Sequence, residues 1–121
     1  MLKAHFKDLM DRELVREFID AAQSLGVAQG ASNSGIPEAR RLVAIDAELR
    51  ARGRAARLRL LPILDEKDRV VRYYAAQRLL GIAPDRARGV IEETANCWFD
   101  SIAADARMTV RRLSSGGYKP D

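Results

Sequence analysis

The sequence predicts an all-α protein of about six helices. Aromatic residues make up only 6% of the chain, so its 47% hydrophobic content comes mainly from Ala, Leu, Ile and Val. That mixture suits packed helices better than a sandwich of strands. Apolar residues also recur at spacings of three and four along most of the chain, which is the period of a helix with one buried face.

The first helix is predicted to begin at Asp11, whose side chain can cap free backbone N–H groups, and to run to about Gln29. Its apolar face consists of residues at helical spacing, Leu14, Phe18, Ala21 and Leu25. The small and polar residues 30–35 form the clearest loop in the sequence.

The second helix is predicted to open at Pro37 and Glu38, because proline fits the first turn and a carboxylate favours the positive end of the helix dipole. Gly53 is predicted to end or interrupt it. The third helix is predicted over about Arg54 to Leu64 and is more apolar than the first two. Pro62 lacks a backbone N–H and should end or kink its last turn.

The fourth helix is predicted over Arg69 to Leu80, with Asp68 as its N-cap and Gly81 as the residue just beyond its end. Pro84 starts the fifth helix. The sixth covers about Ala104 to Ser114.

We expect a single domain over residues 1–121, with loosely ordered tails at 1–10 and 115–121. Asp105 is expected to cap the sixth helix. The predicted core combines the apolar faces of these helices and contains Phe18, Leu42, Leu61, Leu64, Val71, Tyr74, Leu79 and Ile91.

The positive charge of the chain comes mainly from arginine. The formal net charge is +4, and residues 40–59 carry seven arginines against two carboxylates. Three acid–arginine pairs have the spacing that supports an exposed helix, Glu38–Arg41, Asp46–Arg50 and Glu48–Arg52. The segment is therefore either a solvated helix surface or a surface for nucleic acid or an acidic partner.

A weak internal repeat links the fourth and sixth helices. Val71-Arg72 and Val110-Arg111 lie about 39 residues apart, and each pair sits early in the second helix of a predicted helix pair. This offset is close to the repeat length of about 40–47 residues in HEAT-type arrays.

The sequence of the predicted third and fourth helices resembles the HEAT-repeat superfamily. Residues 60–65 read Leu-Leu-Pro-Ile-Leu-Asp, and residues 70–76 read Val-Val-Arg-Tyr-Tyr-Ala-Ala. The resemblance implies a short HEAT-like α-α superhelix. It also implies that Asp65 or Asp68, together with Arg72, bridges adjacent repeats rather than taking part in catalysis.

The C-terminal part resembles a family of short bacterial helical proteins classed only as a domain of unknown function. The resemblance lies in Trp98-Phe99, in Asp105 to Thr109 and in Gly117 to Pro120. It implies a fold and a bacterial origin but no mechanism. Trp98 and Phe99 either close the end of the last repeat or form an exposed aromatic anchor for a partner.

The residues that enzymes most often use are scarce. The chain has one histidine, His5, and one cysteine, Cys97, so neither a cysteine-rich zinc site nor an internal disulfide is expected. The histidine–glutamate pairs of HEAT-type di-iron hydroxylases are absent, and no glycine-rich phosphate loop follows a strand. We therefore predict a non-enzymatic protein without a cofactor or metal.

Three function classes stay open. The chain is predicted to be a protein-interaction module, for which a bacterial immunity or antitoxin-type partner is one form. The alternatives are a nucleic-acid-binding HEAT-like domain with an arginine-rich face and, as the third class, an enzyme. Both the protein-interaction module and the nucleic-acid-binding domain are expected to use a cationic concave surface, on which Arg72 and Tyr73 point outward. The candidate partner-binding residues are Arg72, Tyr73, Arg78, Arg107 and Arg111.

We expect the partner to be an acidic protein rather than nucleic acid. No apolar run reaches membrane-spanning length, and charged residues follow the N-terminus too soon for a secretory signal. A single cysteine suits a reducing compartment, so a cytoplasmic location is predicted.

Overall fold

The protein is all-α in a computed structural model that describes residues 6–30, 35–97, 100–116 and 119–121. Over these residues the chain forms α1 (Asp11–Gly30), α2 (Ile36–Arg52), α3 (Arg54–Arg57), a 3-10 segment (Leu58–Asp65), α4 (Arg69–Leu79), α5 (Pro84–Cys97) and α6 (Ser101–Ser115). No strand occurs within the described ranges. The predicted class and the expectation of about six helices are confirmed, while the HEAT-like superhelix stays a prediction.

The chain packs as two compact units, Met1–Leu60 and Leu61–Asp121, which we call the N-unit and the C-unit. In the N-unit, α1 packs against α2. The ion pair Asp11–Arg52 joins the start of α1 to the end of α2, and Asp20–Arg41 joins the middle of α1 to the first half of α2. These two helices therefore run antiparallel. The single domain and its tails stay predictions.

In the C-unit, α5 packs against both α4 and α6. Arg69 pairs with Asp100 and Tyr73 bonds Asp105, so the pairs advance in the same direction along α4 and α6. These two helices are therefore parallel. The connections on either side of α5 are short, which makes α5 antiparallel to both.

Two of the three predicted N-caps are wrong, and one is confirmed. The Asp68 carboxylate accepts hydrogen bonds from the backbone N–H groups of Val70 and Val71, at 2.9 and 3.4 Å. Asp11, by contrast, is already the first residue of α1. The backbone N–H of Met10 donates instead to Glu13, which is one half of a capping box.

Helix α6 begins at Ser101, three residues earlier than predicted, and its N-cap is Asp100 rather than Asp105. The Asp100 carboxylate accepts from the backbone N–H of Ala103 at 3.0 Å and also from Arg69 on α4. The arginine could not be foreseen, because it comes from another helix. Asp105 consequently lies within α6, where it faces α4.

Glycines act at two helix ends in different ways. Gly53 has φ of 105° and separates α2 from α3, as predicted. Gly81 follows Leu80, the C-cap of α4, without a positive φ. A Cβ at this position would come 2.6 Å from the backbone oxygen of Asp121. Gly81 therefore permits a close backbone approach rather than a left-handed cap.

Pro62 changes the helix type of the predicted third helix. The α-helical part ends at Arg57, and the 3-10 segment begins at Leu58, four residues before Pro62. In an α-helix the proline ring clashes with the carbonyl of the residue four positions earlier. The segment that contains Pro62 winds as a 3-10 helix instead, with three residues per turn.

The buried side chains of this segment differ from the predicted ones. Leu60 and Ile63, three residues apart, are each 1% exposed, and Leu64 is 3% exposed. Leu61 is only half-buried, so its assignment to the core was wrong. The other predicted core residues are confirmed as buried, namely Phe18, Leu42, Leu64, Val71, Tyr74, Leu79 and Ile91.

None of the described helices combines the length and the apolar character needed to cross a membrane.

We expect Leu60→Ala to lower the free energy of unfolding by about 2–5 kcal/mol, because a fully buried leucine leaves a cavity when truncated. Leu61→Ala should cost clearly less, since its side chain is only partly buried. Urea unfolding of the two variants measures the difference. Equal losses would contradict the different burial of Leu60 and Leu61.

Candidate functional site

The Arg72 side chain holds the turn before α4. Its Nη1 donates to the backbone carbonyls of Glu66 and Lys67, at 2.7 and 3.0 Å, and its Nη2 lies 3.9 Å from the Glu93 carboxylate. Only 20% of the side chain is exposed. Asp65, the other proposed bridging residue, pairs with Arg86 on α5 at 3.3 Å.

Arg107 performs a similar task at the end of α5. Its Nη1 donates to the backbone carbonyl of Ala95 at 2.7 Å. Ala95 lies in the last turn of α5, where carbonyls have no partner within the helix. Arg78 lies in the last turn of α4, where a cation favours the negative end of the helix dipole. Both arginines are half-buried.

Tyr73 is fully buried, so the prediction that it points outward was wrong. Its hydroxyl donates to the Asp105 carboxylate and lies 3.4 Å from the Thr109 hydroxyl. The Gln77 side-chain amide donates both to the Tyr73 oxygen, at 2.9 Å, and to Asp105, at 3.2 Å. These four side chains join α4 to α6. Nothing in the spacing of Tyr73 and Asp105, 32 residues apart, signals this contact.

The pKa of Tyr73 is raised above its ordinary value. Burial is the main cause, because a phenolate would lose its hydration, and the hydrogen bond that the hydroxyl donates to the Asp105 carboxylate raises the pKa further. The Tyr73 hydroxyl therefore stays protonated and acts as a hydrogen-bond donor that positions α6.

Arg111 has a different environment from the other candidates. It lies on α6 with Met108 and Arg112, three and four residues apart along the outward side of the helix. All three are exposed, and Met108 retains 49% of its accessible surface. Neither arginine side chain has a hydrogen bond or ion pair to a described residue. We call Met108, Arg111 and Arg112 the α6 outer face.

The arginine-rich segment 40–59 is largely engaged within the N-unit. The predicted pairs Asp46–Arg50 and Glu48–Arg52 are confirmed, at 2.9 and 2.8 Å. The predicted pair Glu38–Arg41 is wrong, since Arg41 reaches across to Glu17 and Asp20 on α1 instead. An arginine between two antiparallel helices can reach carboxylates that sequence spacing does not reveal.

Arg52 contacts several separate parts of the N-unit. Its Nε donates to Glu48, and its Nη1 donates to Asp11 at 2.9 Å. Its Nη2 donates to the backbone carbonyls of Phe6 and Lys7, at 3.1 and 3.2 Å. The guanidinium thus ties the residues before α1, the start of α1 and the end of α2 together.

A shallow open groove lies on the N-unit between α1 and α2, with a volume of about 410 Å³. Sequence reasoning did not identify it. Its lining residues are Asp20, Gln23, Ser24, Val27, Ala28 and Glu38. Asp20 is engaged by Arg41 at 2.8 Å, and Val27 is 73% exposed.

Within the described ranges, no group of three or more His, Cys, Asp or Glu side chains could hold a metal ion. His5, Trp98, Phe99 and the side chain of Cys97 lie outside the residues that the structure describes, and so do the expectations attached to them.

Comparison with known proteins finds similarity without an assigned activity. A family model described as "Domain of unknown function (DUF2019)" matches residues 12–114. The crystal structure of the protein RPA1889 from Rhodopseudomonas palustris CGA009 is 28% identical, with a TM-score of 0.84. That match covers 95% of this chain and 97% of RPA1889. No curated protein matches the chain.

We expect Tyr73→Phe to lower the free energy of unfolding at neutral pH by about 1–3 kcal/mol, because the partners of the hydroxyl lose their hydrogen bond. The variant should also change the alkaline behaviour. Tyrosine in the unfolded chain loses its proton near pH 10, while folded Tyr73 keeps its proton at that pH. The contribution of Tyr73 to the free energy of unfolding is therefore fully present below about pH 10 and falls above it.

Urea unfolding of both proteins between about pH 8 and pH 11 tests this. Tyr74 and Tyr118 are present in both and cancel in the comparison. Wild type should lose more stability with rising pH than Tyr73→Phe does. Identical slopes would contradict the role given to the Tyr73 hydroxyl.

Proposed function

We propose that this chain, which belongs to the family described as "Domain of unknown function (DUF2019)", is a non-catalytic protein-interaction module. It binds an acidic partner through the α6 outer face. The observation that carries this proposal is the exposure of Arg111 and Arg112 on either side of Met108, without an anionic partner on the described part of the chain.

The chemistry of this face suits an acidic protein with an apolar side chain at the contact. Arginine makes bidentate hydrogen bonds to carboxylates, and methionine adapts its shape to an apolar neighbour. Two cations that flank one apolar side chain fit a helix or loop with both carboxylates and an apolar side chain. They fit a ligand that offers only negative charge less well.

The proposed surface is smaller than the sequence predicted. Arg72 and Arg107 donate to backbone carbonyls within the C-unit, so their removal would disturb the fold before it disturbed a partner. Tyr73 is buried and cannot contact a partner. Arg111 is the predicted residue that we retain, and Met108 and Arg112 join it.

Nucleic acid is the alternative ligand for the same residues, because two neighbouring arginines without local anions can also contact phosphates. A bacterial immunity or antitoxin-type role is a narrower form of protein binding and would use the same face. A cytoplasmic location remains part of the proposal.

We expect the double variant Arg111→Glu/Arg112→Glu to abolish capture of the partner while changing the free energy of unfolding by only about 0–1 kcal/mol, as for exposed charges. The matched control is Arg12→Glu/Arg16→Glu, which makes the same charge change at two exposed positions on α1. Affinity capture with mass spectrometry compares both variants with wild type, and labelled duplex DNA is titrated in parallel.

A protein recovered by wild type and the α1 variant, but lost with the α6 variant, agrees with the proposal. DNA binding that depends on Arg111 and Arg112 would favour the nucleic-acid alternative. Capture that persists with the folded α6 variant would rule out this face for either ligand.

A further inference from the structure

Helix α2 carries an apolar stripe on its outward side. Ile36, Val43, Ala47 and Ala51 recur at spacings of seven, four and four residues, so they lie on one side of the helix. Ile36 and Val43 retain 51% and 57% of their accessible surface, and both alanines are exposed. The opposite face of α2 is buried. We call these four residues and Arg40, which lies among them, the α2 stripe.

The sizes of the side chains vary systematically along the α2 stripe. The large residues Ile36, Arg40 and Val43 occupy its first half, and Ala47 and Ala51 occupy its second half. A second copy of the same helix in antiparallel orientation would bring large side chains opposite small ones. Interdigitation of this kind is what close packing between helices requires.

The charges favour the same orientation. Arg40 is exposed and has no side-chain partner on the described part of the chain. An antiparallel copy that places Ile36 opposite Ala51 also places Arg40 opposite Ala47, beside Glu48. Arg52 donates to Oε2 of the Glu48 carboxylate, and 17% of the Glu48 side chain is exposed beside the stripe. A parallel copy would instead place Arg40 against Arg40, which is repulsive.

We propose that the α2 stripe is a self-association surface, on which the second copy of this chain binds antiparallel across a two-fold axis near Val43 and Ala44. The contact is isologous, since each copy contributes the same residues. One helix face is small beside the roughly 800 Å² per partner of a standard interface. The dimer is therefore weak and depends on protein concentration.

The first test is sedimentation velocity of the full chain over a concentration series, for wild type and for Ala47→Arg. Wild type should shift toward dimer as concentration rises. Ala47→Arg places a cation opposite Arg40 of the second copy, so it should stay monomeric with an unchanged thermal midpoint. Met108→Arg is the matched control, since it places the same charge at another exposed apolar position, and it should dimerise like wild type. Monomeric wild type throughout the series, or dimers that Ala47→Arg leaves intact, would overturn the proposal.

The second test fixes the orientation by oxidative cross-linking of single cysteines in a Cys97→Ser background. Val43→Cys should cross-link, because the two copies of residue 43 lie beside the axis. Ala51→Cys should not, because its two copies are separated by about 22 Å along the helices at 1.5 Å per residue. Cross-linking at residue 51, or its absence at residue 43, would overturn the antiparallel arrangement.

Discussion

The N-unit depends on the interactions of one guanidinium. The Arg52 side chain binds acceptors from several separate segments at once. A guanidinium presents its N–H groups in a rigid planar fork, so carboxylates and carbonyls that it binds together are fixed relative to each other. Glu48, Asp11 and the carbonyl of Phe6 are held in this way. In a chain with 6% aromatic residues, such polar contacts supply orientation that small aliphatic side chains do not.

The C-unit uses the same logic with different groups. Arg72 and Arg107 bind backbone carbonyls at a turn and at a helix end, and the buried Tyr73 hydroxyl binds Asp105 across two parallel helices. The contacts of Arg107 and Tyr73 satisfy part-buried polar groups that would be costly to leave unpaired, and the contacts of Arg72 hold a turn at the surface. Much of the positive charge that suggested a binding face therefore serves the fold.

The two surfaces that we propose differ in their chemistry. The α6 outer face has two cations around one apolar side chain, whereas the α2 stripe has four apolar residues around one cation. The first suits an acidic ligand, and the second suits a complementary apolar helix. They belong to different units of the chain.

The sequence by itself determined the local features of this protein. Helical periodicity gave the class and most of the core, while Asp68, Gly53 and the pairs Asp46–Arg50 and Glu48–Arg52 followed from contacts within a few residues. Tertiary structure decided what depends on distant residues. It moved Arg41 to Glu17 and Asp20, buried Tyr73 against Asp105 and brought Asp121 to Gly81, because each partner lies more than 20 residues away and no local spacing encodes it.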